Sequence, residues 1–599
     1  MSSSSAPEHF FKTIQRWCAA SAAVLLVAAC AQLPKNVERP VSAALTTSAG
    51  TELGALVQLR HDAASARFDS GFVLLDGPQA AYGSRLALVE SAQKTLDLQY
   101  YAIHADASTG RLLSGLREAA ARGVRVRILI DDFHSTGRDA LVLRLAFVKN
   151  IEMRMFNPLA GDRDSTFSRV LNSLGDASRV QQRMHNKLFI ADNAMGVAGG
   201  RNLGDAYFGN STVGNFIDLD VLAAGPIVRD LSRSFDTYWN NERSFPVESL
   251  VSQQTLIKIR DRALEAEDAT REQTDKSVGA SSSGQANTRT DDGPKPPDGE
   301  ARPPAGGPTP EQSAHAWDEK PLDLTTAAFI WAPAVVLADQ PGKIPLDDGS
   351  PNGGDARAPA LVVSQQNNKQ SSPANQSLDA SARLAAGSDT VVEGLLQLIS
   401  QSRRDLLIIS PYFVPGDDMK HAFAAARARG VRVRVLTNSL ASNDAPVAHI
   451  GYARHRKEML AMGVELYELR SDKANFGSAF GASGANVTGQ SKAMLHSKVL
   501  VLDGRLLVIG SMNLDLRSQL QNTEVALLIR SDELSRIATR QIEAALREGA
   551  WHVELAGGNL IWRAPKGSGL PDATTEPDAS TSLRLMLKLL GPLAPDELL

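Results

Sequence analysis

Histidine, lysine, aspartate and asparagine recur twice in this chain at one internal spacing. The first copy reads His185-Asn186-Lys187, then Asp192, then Gly199-Gly200-Arg201-Asn202. The second reads His496-Ser497-Lys498, then Asp503, then Gly510-Ser511-Met512-Asn513, with its histidine 311 positions further on. Two imidazoles brought together can break a phosphodiester without a metal. One attacks phosphorus while the other, protonated, gives its proton to the departing oxygen. Lys187 and Lys498 offer fixed positive charge to phosphoryl oxygens, and Asn202 and Asn513 add neutral donors. Lysine is not a usual metal ligand, and no His/Cys/Asp set falls at ligand spacing, so neither a metal nor a cofactor is expected.

Strand geometry must position these groups. Side chains two apart on a strand share a face, so His185 points with Lys187 and His496 with Lys498. Apolar runs follow each lysine, Leu188-Phe189-Ile190 and Val499-Leu500-Val501-Leu502, as in a buried strand. Asp192 and Asp503 lie seven residues after their histidines, an odd offset that turns them to the other face. They are expected to hold a loop or a charge partner. Gly200 and Ser511, in the turn after each strand, let backbone N–H groups approach a phosphate. A lone histidine in an apolar strand is ordinarily a core residue. Duplication of four polar types with the same turn argues against that reading here.

The repeat is wider than the motif. Ala121-Arg-Gly-Val-Arg-Val-Arg-Ile-Leu129 returns as Ala428-Arg-Gly-Val-Arg-Val-Arg-Val-Leu436. Helical spacing precedes each copy, through Leu112, Leu113, Leu116 and Ala120 in one and Met419, Phe423 and Ala426 in the other. Gly123 and Gly430 mark the helix ends. Strands closing at Tyr100-Tyr101 and Pro411-Tyr412 come earlier still. Each half therefore reads strand, helix, strand and later the motif strand, the alternation of an α/β layer with a mostly parallel sheet.

The duplicated motif resembles that of the phospholipase D superfamily. Leu96–Tyr101, Asp106–Gly110, Arg183–Phe189 and Gly199–Phe208 extend the resemblance to the bacterial cardiolipin synthases, especially the C type. The resemblance implies two homologous halves packed with pseudo-twofold symmetry, each a mixed, mostly parallel sheet flanked by helices. It also implies a phosphohistidine intermediate, with His185 as nucleophile, His496 as general acid, and Lys187, Asp192, Lys498 and Asp503 in the catalytic set. Asp220 and Glu524 look like the carboxylates that orient the histidines. The implied reaction is head-group exchange between phospholipids, with phosphatidylglycerol or phosphatidylethanolamine as donor, giving cardiolipin. With water as acceptor the same site is a phospholipase D that makes phosphatidic acid. A nuclease of the superfamily would use the same histidines. Sequence spacing does not separate these acceptors.

Composition narrows the setting. The 599-residue chain is 43% hydrophobic, enough for two cores. Its net charge of −4 argues against a nucleic-acid binder relying on general electrostatics. Cys18 and Cys30 are the only cysteines, so the body has no disulfide. Lys12 and Arg16 precede a short apolar run, Trp17 to Ala29, suited to a signal-peptide core. It closes as Leu26-Val27-Ala28-Ala29-Cys30, which resembles a bacterial lipobox and implies lipidation of Cys30. The expected location is the cell envelope, membrane-anchored and facing the periplasm, with the outer membrane as one destination. A tether is expected over 31–60, the two halves over 61–260 and 386–560, and a tail over 561–599 with an amphipathic stretch at Leu583–Leu590. The insertion at 261–385 is rich in Pro, Gly, Ser and Gln, too polar to offset chain ordering, except for an apolar island near 321–338. The island is expected either to dock as a strand or to touch membrane.

Overall fold

The computed structural model describes residues 33–161, 163, 177–265, 308–344, 361–363, 378, 380–381, 383–385, 388–471 and 492–590. The signal-like segment with Cys30 and much of the insertion lie outside the described residues. In chain order the first half contributes β1 (Gly71–Asp76), β2 (Thr95–Tyr100), β3 (Arg125–Asp131), β4 (Ile151–Phe156), β5 (Leu188–Ala191), β6 (Met195–Gly199), β7 (Gly214–Ile217), β8 (Leu219–Ala224) and β9 (Ser244–Pro246). The insertion supplies β10 (Ile330–Trp331), β11 (Ala334–Asp339) and β12 (Leu361–Val363). The second half adds β13 (Asp405–Ile409), β14 (Phe413–Val414), β15 (Arg432–Asn438), β16 (Glu465–Leu469), β17 (Lys492–Leu495), β18 (Val499–Leu502) and β19 (Leu506–Gly510). β20 (Leu514–Asp515), β21 (Val525–Arg530), β22 (Ala550–Ala556) and β23 (Asn559–Arg563) complete it.

Two large sheets result, ordered β10-β1-β8-β6-β5-β2-β3-β4-β9 and β12-β11-β21-β19-β18-β13-β15-β16-β22-β23, with two-stranded pairs β14-β20 and β17-β7 beside them. The run β1-β8-β6-β5-β2-β3-β4 matches β11-β21-β19-β18-β13-β15-β16 strand for strand, so the duplication is structural. The expectation of mostly parallel sheets needs correcting. Within the two large sheets, β2-β3-β4 and β13-β15-β16 run parallel, joined by helical crossovers, and the other described pairs are antiparallel. The motif strands are antiparallel to their neighbours because Asp192 and Asn193, both at positive φ, close the tight β5–β6 hairpin. Asp503 and Gly504 do the same between β18 and β19.

The helices behave as their spacing predicts. Asp106 accepts a hydrogen bond from the Thr109 N–H and caps helix Ala107–Ala121, which buries Leu112, Leu113, Leu116 and Ala120. Gly123 and Gly430 follow the paired helices at φ +95° and +84°. A shared apolar layer joins the halves. It draws Leu188, Ile190 and Val221 from one sheet and Leu407, Val499 and Leu527 from the other, with Trp239 and Ile542 from two helices. One continuous core across the seam favours a fixed relation between the halves.

Three segments outside the expected halves pack on the body. The 31–60 tether is not free where it is described. Ala44 N–H donates to Asp236, Arg127 donates to the Ser42 carbonyl, and Glu52–Ala63 is a helix capped by Thr51. The apolar island docks on both halves. β10 pairs with β1, and β11 lies antiparallel to β21 with Val336 opposite Leu527. Because β11 occupies the place β1 holds in the first half, the second half begins near 334, and the insertion interrupts it after its first strand. Finally, helix Thr581–Leu590 has Leu583 packed near Leu440, Ala441 and Ala579, while Leu585 and Leu589 are exposed.

Candidate active site

The site is built where the halves exchange backbone pairs. β17 runs parallel to β7 with Leu495 opposite Ile217, so the next residues, His496 and Asp218, emerge side by side. On the other side a parallel bridge pairs Met184 with Thr523, which sets His185 beside Glu524. His185 N–H donates to the Thr523 carbonyl and His496 N–H to the Ile217 carbonyl, fixing both backbones across the seam. Buried side chains hold these segments from behind: Asp131 accepts the Met184 N–H, and Asn438 at the matching place accepts the Leu495 N–H.

Each imidazole is therefore oriented by a carboxylate from the opposite half. His185 Nδ1 lies 3.0 and 3.1 Å from the two Glu524 oxygens. His496 Nδ1 lies 2.7 Å from Asp218 Oδ2. With Nδ1 engaged, Nε2 of each ring is the atom left for chemistry. Lys187 and Lys498 each reach back to the carbonyl of their own histidine, at 2.8 and 2.6 Å. The Lys187 ammonium also lies 5.5 Å from the centre of the Tyr101 ring. All these groups are buried, His185 at 7% exposure and His496 at 1%.

Burial and charge set the protonation states. Burial pushes His496 down to about 4, helped by the Lys498 and Lys187 charges and opposed by Asp218. Burial alone would raise Asp218, but the hydrogen bond and charge of His496, with Lys498 and Arg201, hold it below the usual carboxylate range. Glu524 goes the other way: burial pushes it up to about 7, only partly offset by Lys187 and by the Ser511 and Ser518 hydroxyls. That Lys187 acts on both His496 and Glu524 places the two half-sites in one electrostatic unit.

Several sequence assignments change. Asp220 does not orient a histidine. It pairs with Arg85 at 2.9 Å, deep beside Tyr100. Asp218, two residues earlier on the same face, takes the role, because β6–β8 sets Gly199 opposite Asp220 whereas β19–β21 sets Gly510 opposite Ala526. Glu524 thus corresponds to Asp218, and Asp220 to Ala526. Gly200 and Ser511, expected to approach phosphate, instead face the carboxylates. A Cβ on Gly200 would sit 2.7 Å from both Asp218 oxygens, and Ser511 Oγ donates to Glu524 at 2.5 Å.

Asp192 and Asp503 are not at the reacting centre. Asp192 accepts the N–H groups of Gln93, Lys94 and Thr95, and Asp503 those of Arg403, Arg404 and Asp405, clamping the chain as it enters β2 and β13. This is the loop-holding role that their odd offset predicts. Asn202 accepts the Ala102 N–H at its side-chain oxygen and donates to the Tyr207 hydroxyl, which braces the wall of the site. Asn513 is buried with its side-chain oxygen unpartnered among the described residues. Sequence reasoning overlooked Asp218, Tyr101 and Tyr207; the two tyrosine rings lie 5.1 Å from His185 and 5.4 Å from His496.

Comparison with known proteins agrees with this geometry. The family model described as "Cardiolipin synthase, PLD-like domain" matches twice, at residues 86–239 and 395–546. Cardiolipin synthase C of Escherichia coli is 32% identical over 538 residues, covering 88% of this chain and 96% of that protein. A Helicobacter pylori protein without an assigned function is 29% identical over 528 residues, covering 86% and 87% of the two chains. Among solved structures, phosphatidylserine synthase of Haemophilus influenzae superposes with a TM-score of 0.50 at 11% identity, covering 90% of this chain and 98% of that one, a likeness of fold. The matched halves are those whose histidines meet at the seam, and this chain belongs to the phospholipase D superfamily, as an enzyme of its cardiolipin synthase family.

Proposed function

We propose that this enzyme is a phosphatidyltransferase that makes cardiolipin by head-group exchange. The observation that supports it most directly is the pair of imidazoles, each held at Nδ1 by a carboxylate of the other half, with a lysine beside each. His185 Nε2 attacks the phosphorus of a phosphatidylglycerol and displaces its glycerol oxygen, which takes a proton from His496. A hydroxyl of a second phosphatidylglycerol then attacks the phosphatidyl-histidine, passes its proton to His496 and releases His185. Cardiolipin and glycerol are the products. Lys187 and Lys498 bear the charge on the phosphoryl oxygens throughout.

Burial and the two lysine charges keep His496 neutral at ordinary pH, whereas the first step needs it protonated. The substrate supplies the difference: a phosphodiester anion between the lysines offsets the charges that depress His496, so binding draws a proton onto it. Phosphatidylethanolamine as donor follows the same course and releases ethanolamine.

The test is lipid analysis of a cardiolipin-deficient bacterium expressing the chain, beside His185→Ala and His496→Ala. Cardiolipin formed only by the intact pair is the expected result. Phosphatidic acid without cardiolipin would make it a hydrolase instead. Acid-quenched trapping of labelled lipid on His185, and not on His496, checks the order of attack. Among the described residues no helix is long and apolar enough to cross a membrane. The proposed anchor is the lipidated Cys30, checked by loss of fatty-acid labelling in Cys30→Ala.

A further inference from the structure

The seam is pseudo-symmetric in its catalytic groups but not in its walls. On the first half's side, His134 packs edge-on against Tyr101 at 4.8 Å, and Tyr101 against His185 at 5.1 Å. His104 stacks on Tyr207 at 6.4 Å, and Tyr207 abuts His496 at 5.4 Å. The two additional imidazoles face each other at 6.3 Å. Six rings thus form an arc from one catalytic histidine to the other. His104 Nδ1 lies 2.9 Å from Asp139 Oδ2, and Asp139 also accepts the Ala105 N–H. Arg138 Nε donates to the Ala105 carbonyl, setting a guanidinium group beside the same pair. Gly204 makes room for this arrangement, since a Cβ there would meet the His104 ring at 2.7 Å.

Among the described residues the second half has no imidazole at the matching places. Strand register equates His104 with Val414, because the Ile103–Leu203 bridge matches the Phe413–Leu514 pair. It equates His134 with Ala441, because β2–β3 and β13–β15 share their register. Val414 and Ala441 are both buried and apolar. At these two places the first half carries imidazoles and the second carries aliphatic side chains. A transferase has a use for that difference and a hydrolase has none. Its acceptor is itself a phospholipid, whose attacking hydroxyl is one glycerol away from a second phosphate anion. That anion needs its own donors beside the catalytic pair, on one side only.

We propose that His104, held by Asp139, together with His134 and Arg138, forms a second anion site that takes the phosphate of the acceptor lipid. This rests on the transferase reading above. His104, His134 and Arg138 gather around Asp139, with Asp106 on the Gly204 side of the His104 ring, so three nitrogen-bearing side chains converge beside the catalytic pair. Asp139 stays below its ordinary range, although burial would raise it, because His104 and His134 lie against it. The rings hold the acceptor hydroxyl over phosphorus by fixing the phosphate behind it, so acceptor lipid outcompetes water.

The test uses the full chain on phosphatidylglycerol vesicles, reading cardiolipin and phosphatidic acid together. His134→Ala and His104→Val install the side chains that the second half already carries at these places. Each is expected to lower the ratio of cardiolipin to phosphatidic acid about tenfold, as for loss of one charge-assisted hydrogen bond. His134→Lys, which keeps a cation, is expected to recover part of that ratio. An unchanged ratio, or both products falling in step, would overturn the assignment, since a structural role predicts parallel loss. A wild-type chain that yields phosphatidic acid and no cardiolipin would instead overturn the functional reading itself, whatever the variants do.

Discussion

The two half-sites reach one geometry by different means. Asp218 is short, and it meets His496 at 2.7 Å because Gly200 leaves space for its oxygens. Glu524 is one methylene longer and is steadied by hydroxyls, Ser511 at 2.5 Å and Ser518 at 2.9 Å. In the first couple Asp218 is held low by its hydrogen bond to His496 and by nearby cations; in the second Glu524 is pushed up to about 7. Duplication preserved where the imidazoles point and let the electrostatics behind them diverge. Two histidines that must take opposite parts in one step benefit from that divergence.

The sharpest way to break the comparison is to remove each charge while keeping each shape. Asp218→Asn is expected to lower turnover about 10³-fold, because His496 loses the charge that stabilises its protonated form. Glu524→Gln is expected to cost only about tenfold at neutral pH, where that carboxyl is already half protonated. Equal losses in single-turnover assays would show that the couples are electrostatically alike after all.

A second contrast concerns stability. Arg85 and Asp220 form a fully buried ion pair in the first half. Register places Ala526 where Asp220 stands, and counting back from β13 places Leu395 where Arg85 stands, both in the apolar core. Arg85→Leu alone should destabilise by about 3 kcal/mol, because it leaves buried Asp220 with only the more distant Arg201, 3.8 Å away. Adding Asp220→Ala should recover most of that loss, since the second half shows that the apolar version packs. Denaturant unfolding of the single and double variants measures this. A double variant no better than Arg85→Leu would mean that the pair is required for the fold.

The turn residues give a smaller pair of effects. Gly200→Ala drives a methyl group into Asp218 and should reduce activity about 100-fold by displacing His496. Ser511→Ala leaves Glu524 its Ser518 donor and should cost about fivefold. The reverse ranking would show that the serine, rather than the vacancy, is the more demanding feature.

Legibility followed distance along the chain. His185 with Lys187, and His496 with Lys498, were readable because chemistry and geometry lie within three residues of one strand. The odd offset of Asp192 and Asp503 told correctly that they face away and hold a loop. Asp218 was not readable. Asp218 and Asp220 alternate onto one face, and Asp220-Val221 mimics Glu524-Val525 in sequence. Only the pairing of β6 with β8 decides, and the segments after Gly199 and Gly510 differ in length, so no count from the motif supplies it. The same holds for β11, whose partner β21 lies nearly two hundred residues downstream. His104 and His134 carry no signal in the sequence because the rings they pack on, Tyr207 and Tyr101, come from other elements.

The half-sites should also pull stability in opposite directions with pH. His496 is depressed from 6.5 to about 4. Its contribution to folding is fully present above 6.5 and is lost as pH falls through 4, because the unfolded chain binds the proton more readily. Glu524 is raised from 4.5 to about 7. Its contribution is fully present below 4.5 and fades as pH rises through 7. Each slope amounts to roughly 1 kcal/mol per pH unit at most. Thermal melts from pH 4 to 8 should therefore lose acid sensitivity in His496→Asn and lose the decline toward neutrality in Glu524→Gln. If both variants flatten the same limb, the carboxylate behind His185 is as ionised as the one behind His496, and the asymmetry between the halves is confined to shape.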